Sequence, residues 1–79
     1  MIKTYTIPNC PMCEELKSYM KNSHISYEET NVEEDFKARA KLVSLDIEQM
    51  PAVEVNGKVY SGDLEKIRRA FWLALRPYL

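Results

Sequence analysis

The stretch Asn9-Cys10-Pro11-Met12-Cys13 constrains this chain more than any other. It holds both cysteines, and it joins a segment of strand character to one of helix character. Upstream, Ile2, Tyr5 and Ile7 with interleaved threonines supply the β-branched and aromatic residues that suit a strand, and Pro8-Asn9 ends it. Downstream, a helix is expected from Pro11, because proline at the first helical position gives up no N–H that the helix needs. Glu14 and Glu15 fall in its first turn, where the helix dipole favours negative charge. Cys13, Leu16, Tyr19 and Met20 recur at helical spacing and mark the buried face, and Asn22-Ser23 closes the helix.

The alternation continues along the chain. Ile25 to Asn31 reads as a second strand with Ile25 and Tyr27 on one face. A second helix is expected near Asn31, started by a capping box of Thr30 with Glu33 or Asn31 with Glu34. Phe36, Ala40, Val43 and Ile47 then form its inner face. Ala52, Val53 and Val55 form a third strand, Asn56-Gly57 is a short-hairpin signal, and Lys58-Val59-Tyr60 returns. Ser61, Gly62 or Asp63 caps a last helix with Leu64, Ile67, Phe71, Ala74 and Leu75 inside, and Pro77 ends it. The order β-α-β-α-β-β-α implies an α/β fold, a four-stranded mixed sheet flanked by helices. A right-handed first crossover makes its first two strands parallel.

Composition narrows the function. The 79 residues suit one domain over 1–79, and 46% hydrophobic content is that of a globular chain. Eleven basic and twelve acidic residues give a formal net charge of −1, which points away from nucleic acid or a membrane surface as the main partner. No apolar run approaches the ~20 residues of a membrane span, and the N-terminus lacks a signal-peptide pattern. A soluble cytoplasmic monomer is therefore expected. In that compartment a close cysteine pair is catalytic or metal-binding more often than structural.

Cys10 falls at a helix N-terminus, where free N–H groups and the dipole favour thiolate over thiol and lower the pKa from about 8.5. Cys13 follows on the inward face, almost one turn later. The division of labour expected is attack by Cys10 on a disulfide, then release of the mixed disulfide by Cys13. Such chemistry needs no bound cofactor, since the electrons reside on the two sulfurs. The alternative is a metal-binding module. Zinc needs about four ligands, and this chain has two cysteines and one histidine, so zinc or an iron-sulfur cluster would require a dimer or added ligands. His24 reads as a solvated turn residue.

"YTIPNCPMC", "MPAVEVNG" and "YSGDLEKI" together resemble the glutaredoxin-like branch of the thioredoxin superfamily, including the short redoxins of the NrdH type that reduce ribonucleotide reductase. The resemblance spans nearly the whole chain. It implies a thioredoxin-like fold and a thiol-disulfide oxidoreductase acting on protein or small-molecule disulfides. Cys10 and Cys13 are then the catalytic pair, with Pro11 and Met12 between them at the substrate. It further implies that Met50-Pro51 is a cis-proline turn beside the cysteines, with the Met50 backbone pairing with the substrate. The electron source would be glutathione or a thioredoxin-reductase system.

Subgroup signals diverge. Glutathione-using members usually carry a basic residue where this chain has Ile7, and often an aromatic where it has Met12. Their glutathione-binding turn tends to read Gly-Gly-Cys/Ser-Asp-Asp, of which Gly62-Asp63 retains one pair. Asp63 either receives the glutathione amino group or is a plain helix cap. The ribonucleotide-reductase-coupled redoxins show an aromatic-Ser-Gly stretch similar to Tyr60-Ser61-Gly62, but their Phe-Arg-Pro is replaced by Asp63-Leu64-Glu65. Met12, Met50 and Tyr60 can line an apolar collar around Cys10, although Tyr60 reads equally as a core or edge residue. Glu28, Glu29, Glu33, Glu34 and Asp35 read as a solvated helix start. Phe71 to Leu75, with Leu79 at the end, is too continuous for one helix face, so Trp72 or Leu79 is expected to be partly exposed, with Trp72 covering the end of a small core rather than making a dimer or partner contact.

Overall fold

The computed structural model describes residues 2–62 and 64–75, with the backbone alone beyond Trp72. Strand β1 (Ile2–Thr6) leads through the cysteine loop into α1 (Pro11–Asn22), then β2 (Glu28–Asn31), α2 (Phe36–Ser44), β3 (Ala52–Val55), β4 (Lys58–Ser61) and α3 (Leu64–Leu75). The sheet order is β2-β1-β3-β4. β1 runs parallel to β2 and antiparallel to β3, and β3 and β4 form an antiparallel hairpin. Asn56 and Gly57 both take positive φ, 52° and 83°, as a two-residue type I′ turn requires. The expected α/β order and mixed sheet are observed. No helix among the described residues is long and apolar enough to cross a membrane.

Side-chain alternation along the strands builds a core on each face. On one face, Ile2, Val53 and Val55 meet Leu16 and Met20 of α1 and Ile67 and Phe71 of α3. Thr4, fully buried on this face, directs its hydroxyl at the Met20 sulfur, 3.7 Å away. On the other face, Tyr5 and Ala52 meet Val32 and Leu42, with Ala38, Ile47, Met50 and Val59 packed around them. The central strand β1 is thus covered on both sides, and its end is held where the cysteine loop begins.

Three local expectations are corrected. β2 starts at Glu28, not Ile25, because its ladder begins with Lys3 opposite Glu28. Among the described residues, those before Tyr27 lie beyond β1 and have no strand opposite them. Ile25 and Tyr27 instead pack their side chains on the first core cluster. α2 is capped by Asp35, whose carboxylate accepts the Ala38 N–H at 3.0 Å, rather than by Thr30 or Asn31. Asn31 spends its side chain on the Glu33 N–H at 3.0 Å, which makes a turn before the helix.

The inner face of α2 is also different. Leu42 is buried and Ala38 packs beside it, while Phe36 is 82% and Val43 69% exposed. Asp35→Ala is expected to cost about 0.5–2 kcal/mol, since it removes the cap. Phe36→Ala should leave stability almost unchanged. The urea midpoints of the two variants check both statements.

Candidate functional site

The cysteine pair is placed by the end of β1. Asn9 takes a positive φ of 57°, which turns the chain from strand to helix. Cys10 is the N-cap of α1, with extended backbone (φ −119°, ψ 100°). Its sulfur accepts the Cys13 N–H at 3.1 Å, and its carbonyl accepts the Glu14 N–H at 3.2 Å. Pro11 opens the helix without sacrificing a hydrogen bond. Cys10 and Cys13 are joined by a disulfide across a Cα separation of 5.2 Å. Cys10 is half-buried, whereas Cys13 is 1% exposed. An incoming group thus reaches the first sulfur and not the second. In the reduced protein, the N–H groups of this helix end would favour a thiolate at Cys10.

Register brings the cis-proline turn to the same place. Tyr5 lies opposite Ala52, so the next positions along the ladder set Thr6 and Ile7 beside Pro51 and Met50. The Met50-Pro51 peptide is cis. Gly62 closes the end of β4 over this turn and donates its N–H to the Pro51 carbonyl at 3.3 Å. Its φ of +89° suits glycine, and a Cβ there would meet the Gln49 side-chain oxygen at 2.5 Å. Met12 is 41% exposed on the opening turn of α1. Tyr60 packs against the α1/α3 core cluster and lines a pocket between β4 and α3. Asp63 lies outside the described residues, as do Pro77 and Leu79.

Two features beside the cysteines escaped the sequence reading. Ile7, just past β1 and 38% exposed, shares a groove of about 370 Å³ with the apolar residues Val32, Leu42, Val43, Ile47 and Met50 and the charged Glu33, Arg39 and Glu48. Its residues come from four separate segments, so no spacing rule reveals it. The second is a polar tie behind the cysteine helix. The Lys17 ammonium contacts Glu14 at 3.0 Å and Glu29 at 3.1 Å, and Glu29 also accepts the Thr6 hydroxyl at 2.9 Å. Glu14 and Glu29 together hold the Lys17 pKa above its ordinary value, and Lys17 holds that of Glu29 below. This tie links α1 to β1 and β2 at the end of the sheet that carries the disulfide.

On the opposite face, Lys41 sits between the Glu54 carboxylate and the Tyr5 hydroxyl and fixes α2 to the sheet. His24 is exposed in the turn after α1. Trp72 is 54% exposed, in line with the partial exposure expected of it or Leu79. Among the described residues, no group of three or more His, Cys, Asp and Glu side chains could hold a metal ion.

This arrangement agrees with known proteins. Residues 2–60 match the Glutaredoxin family. An uncharacterized glutaredoxin-like 8.6 kDa protein in the rubredoxin operon of Clostridium pasteurianum is 35% identical over 63 residues, which is 78% of this chain and 84% of that protein. The crystal structure of the thioredoxin-like protein BC3987 superposes with a TM-score of 0.78 at 35% identity, covering 87% of this chain and 97% of that one. NrdH-redoxin from Escherichia coli superposes with a TM-score of 0.78 at 29% identity, covering 86% and 91%. With a thioredoxin-like fold, a cysteine pair bonded at the start of α1 and a family match over most of its length, the chain belongs to the glutaredoxin family.

Proposed function

We propose that this protein is a dithiol-disulfide oxidoreductase that reduces protein disulfides and draws its electrons from a thioredoxin-reductase system. The observation that carries the reading is the Cys10–Cys13 disulfide at the N-terminus of α1, with one sulfur approachable and the other enclosed. In the reduced form, the Cys10 thiolate attacks one sulfur of the substrate disulfide. The other substrate sulfur leaves as a thiolate and takes up a proton. Cys13, as thiolate, then attacks the Cys10 sulfur, the second substrate thiol departs, and the Cys10–Cys13 disulfide is left. Two electrons pass to the substrate, and the oxidised protein awaits a reductant.

Met50, Pro51 and Gly62 are assigned to substrate positioning, with the Met50 backbone pairing with an extended substrate segment and Pro11 and Met12 flanking it. Asp63 is assigned to the same surface through the family resemblance. The choice of electron donor rests on Ile7. A carboxylate of glutathione would find an exposed isoleucine where a basic residue is usual, in a groove where Arg39 is accompanied by two carboxylates, Glu33 and Glu48. NrdH-redoxin of Escherichia coli, to which this chain is similar, is described as glutaredoxin-like with a thioredoxin-like activity profile. Tyr60-Ser61-Gly62 favours ribonucleotide reductase among protein substrates.

Two parallel assays of NADPH oxidation with the oxidised protein test this reading. Turnover is expected with thioredoxin reductase and not with glutathione plus glutathione reductase. Ile7→Lys is expected to raise glutathione-dependent turnover, by up to about tenfold, through one added charge-assisted contact. Turnover with glutathione alone would overturn the donor assignment.

A further inference from the structure

The outer edge of the hairpin carries a surface that the exchange steps at Cys10 and Cys13 do not use. β4 is the last strand of the sheet, so one of its edges has no partner strand. The Asn56-Gly57 turn makes Val55 and Lys58 a hydrogen-bonded pair, and Val53 with Tyr60 the next such pair. The Gly62 N–H bond to the Pro51 carbonyl keeps the same alternation. The amides of Val59 and Ser61 therefore point outward, away from β3.

Beside this edge lies a pocket of about 560 Å³ lined by Val55, Lys58, Tyr60, Lys66, Arg69 and Ala70. Lys58 and Tyr60 are two positions apart, on the same face of β4. Lys66 and Arg69 stand on one face of α3 and form the facing wall. Among the described residues no carboxylate lines the pocket. Among the described residues Lys58, Lys66 and Arg69 form no ion pair, as is true also of the scattered Lys3, Lys21, Lys37 and Arg39, but these three converge on one pocket. Three cations without an ion-pair partner among the described residues thus line one pocket, next to a strand edge whose backbone groups point outward.

We propose that this edge takes an extended acidic segment of a protein partner as an added strand. Backbone groups of the segment would pair with Val59 and Ser61. Alternate side chains of a strand point to one face, so carboxylates at every second position would enter the pocket and meet Lys58, Lys66 and Arg69. The backbone supplies affinity and the alternating charge supplies selectivity. The inference does not rest on the redox reading.

The test uses the full-length protein and three probes. These are a peptide with glutamates at every second position and threonines between them, a peptide of the same composition with its glutamates contiguous, and inorganic pyrophosphate. The alternating peptide is expected to bind, to slow amide hydrogen exchange at Val59 and Ser61, and to lose affinity as salt rises. The double variant Lys66→Ala, Arg69→Ala changes two exposed side chains. It should weaken that binding at least about tenfold and leave reduction of a small-molecule disulfide unchanged. Equal binding of the contiguous peptide or of pyrophosphate would overturn the proposal and leave only an anion-attracting patch. Absence of binding, or binding without slowed exchange at Val59 and Ser61, would overturn strand addition. In that case Lys58 is a charge that guards an open edge.

Discussion

Cys10→Ser should reduce disulfide-reducing activity by about a thousandfold or more, to the level of uncatalysed exchange. The loss is chemical, since the fold tolerates the change. Cys10 is an N-cap whose sulfur accepts the Cys13 N–H at 3.1 Å, and serine is among the residues preferred at that position. A serine oxygen can keep the cap, but it is not ionised at neutral pH and cannot attack a disulfide. Cys13→Ser should behave differently. Attack by Cys10 remains, but nothing inside the protein resolves the product, so turnover stops at a mixed disulfide. Insulin reduction coupled to NADPH oxidation, with circular dichroism as the fold control, reads both variants. Activity retained in Cys10→Ser would remove the nucleophile assignment.

Phe71→Ala should cost about 3–5 kcal/mol, the usual range for truncating a buried phenylalanine. Phe71 is 1% exposed and lies where α1, α3 and the sheet meet. Its ring also stacks on Tyr19, with centroids 6.2 Å apart and planes 7° from parallel. Alanine would leave a cavity walled by Leu16, Met20 and Ile67, which the packed sheet cannot collapse to fill. Domains of this size hold only about 0.05–0.15 kcal/mol per residue, so the variant should lose most of its cooperative unfolding transition. Urea titration followed by circular dichroism measures the effect. A cost below about 1 kcal/mol would contradict this account of the core.

The difference between what could and could not be read from the sequence has a physical basis. The topology was legible because each element carries its own signal. Pro11 opens α1, Asn56-Gly57 closes the hairpin, and β-branched residues mark the strands. The cysteine pair was legible because its meaning depends on a strand-to-helix junction, which is a local matter.

The inner face of α2 was not legible. The helix carries two stripes at helical spacing, Phe36-Ala40-Val43 and Ala38-Leu42, and periodicity weighs them alike. Docking against Tyr5 and Val32 decides between them, and small Ala38 with Leu42 fits beneath the sheet while Phe36 is left outside. The cap of α2 was misplaced for a related reason. Asn31 and Asp35 can both cap, and the Asn31 side chain is taken by the Glu33 N–H in the preceding turn. The groove beside Met50 and the basic pocket beside β4 were hidden too, because each is assembled from segments that meet only in the folded chain.

The most direct measurement of the central claim is peptide mapping of the covalent product formed when reduced Cys13→Ser is mixed with a disulfide-containing peptide. The account predicts a mixed disulfide on Cys10, the one thiol that Cys13→Ser leaves, and none from Cys10→Ser under the same conditions. Failure to form it, under conditions where the parent protein reduces the same peptide, would contradict the account.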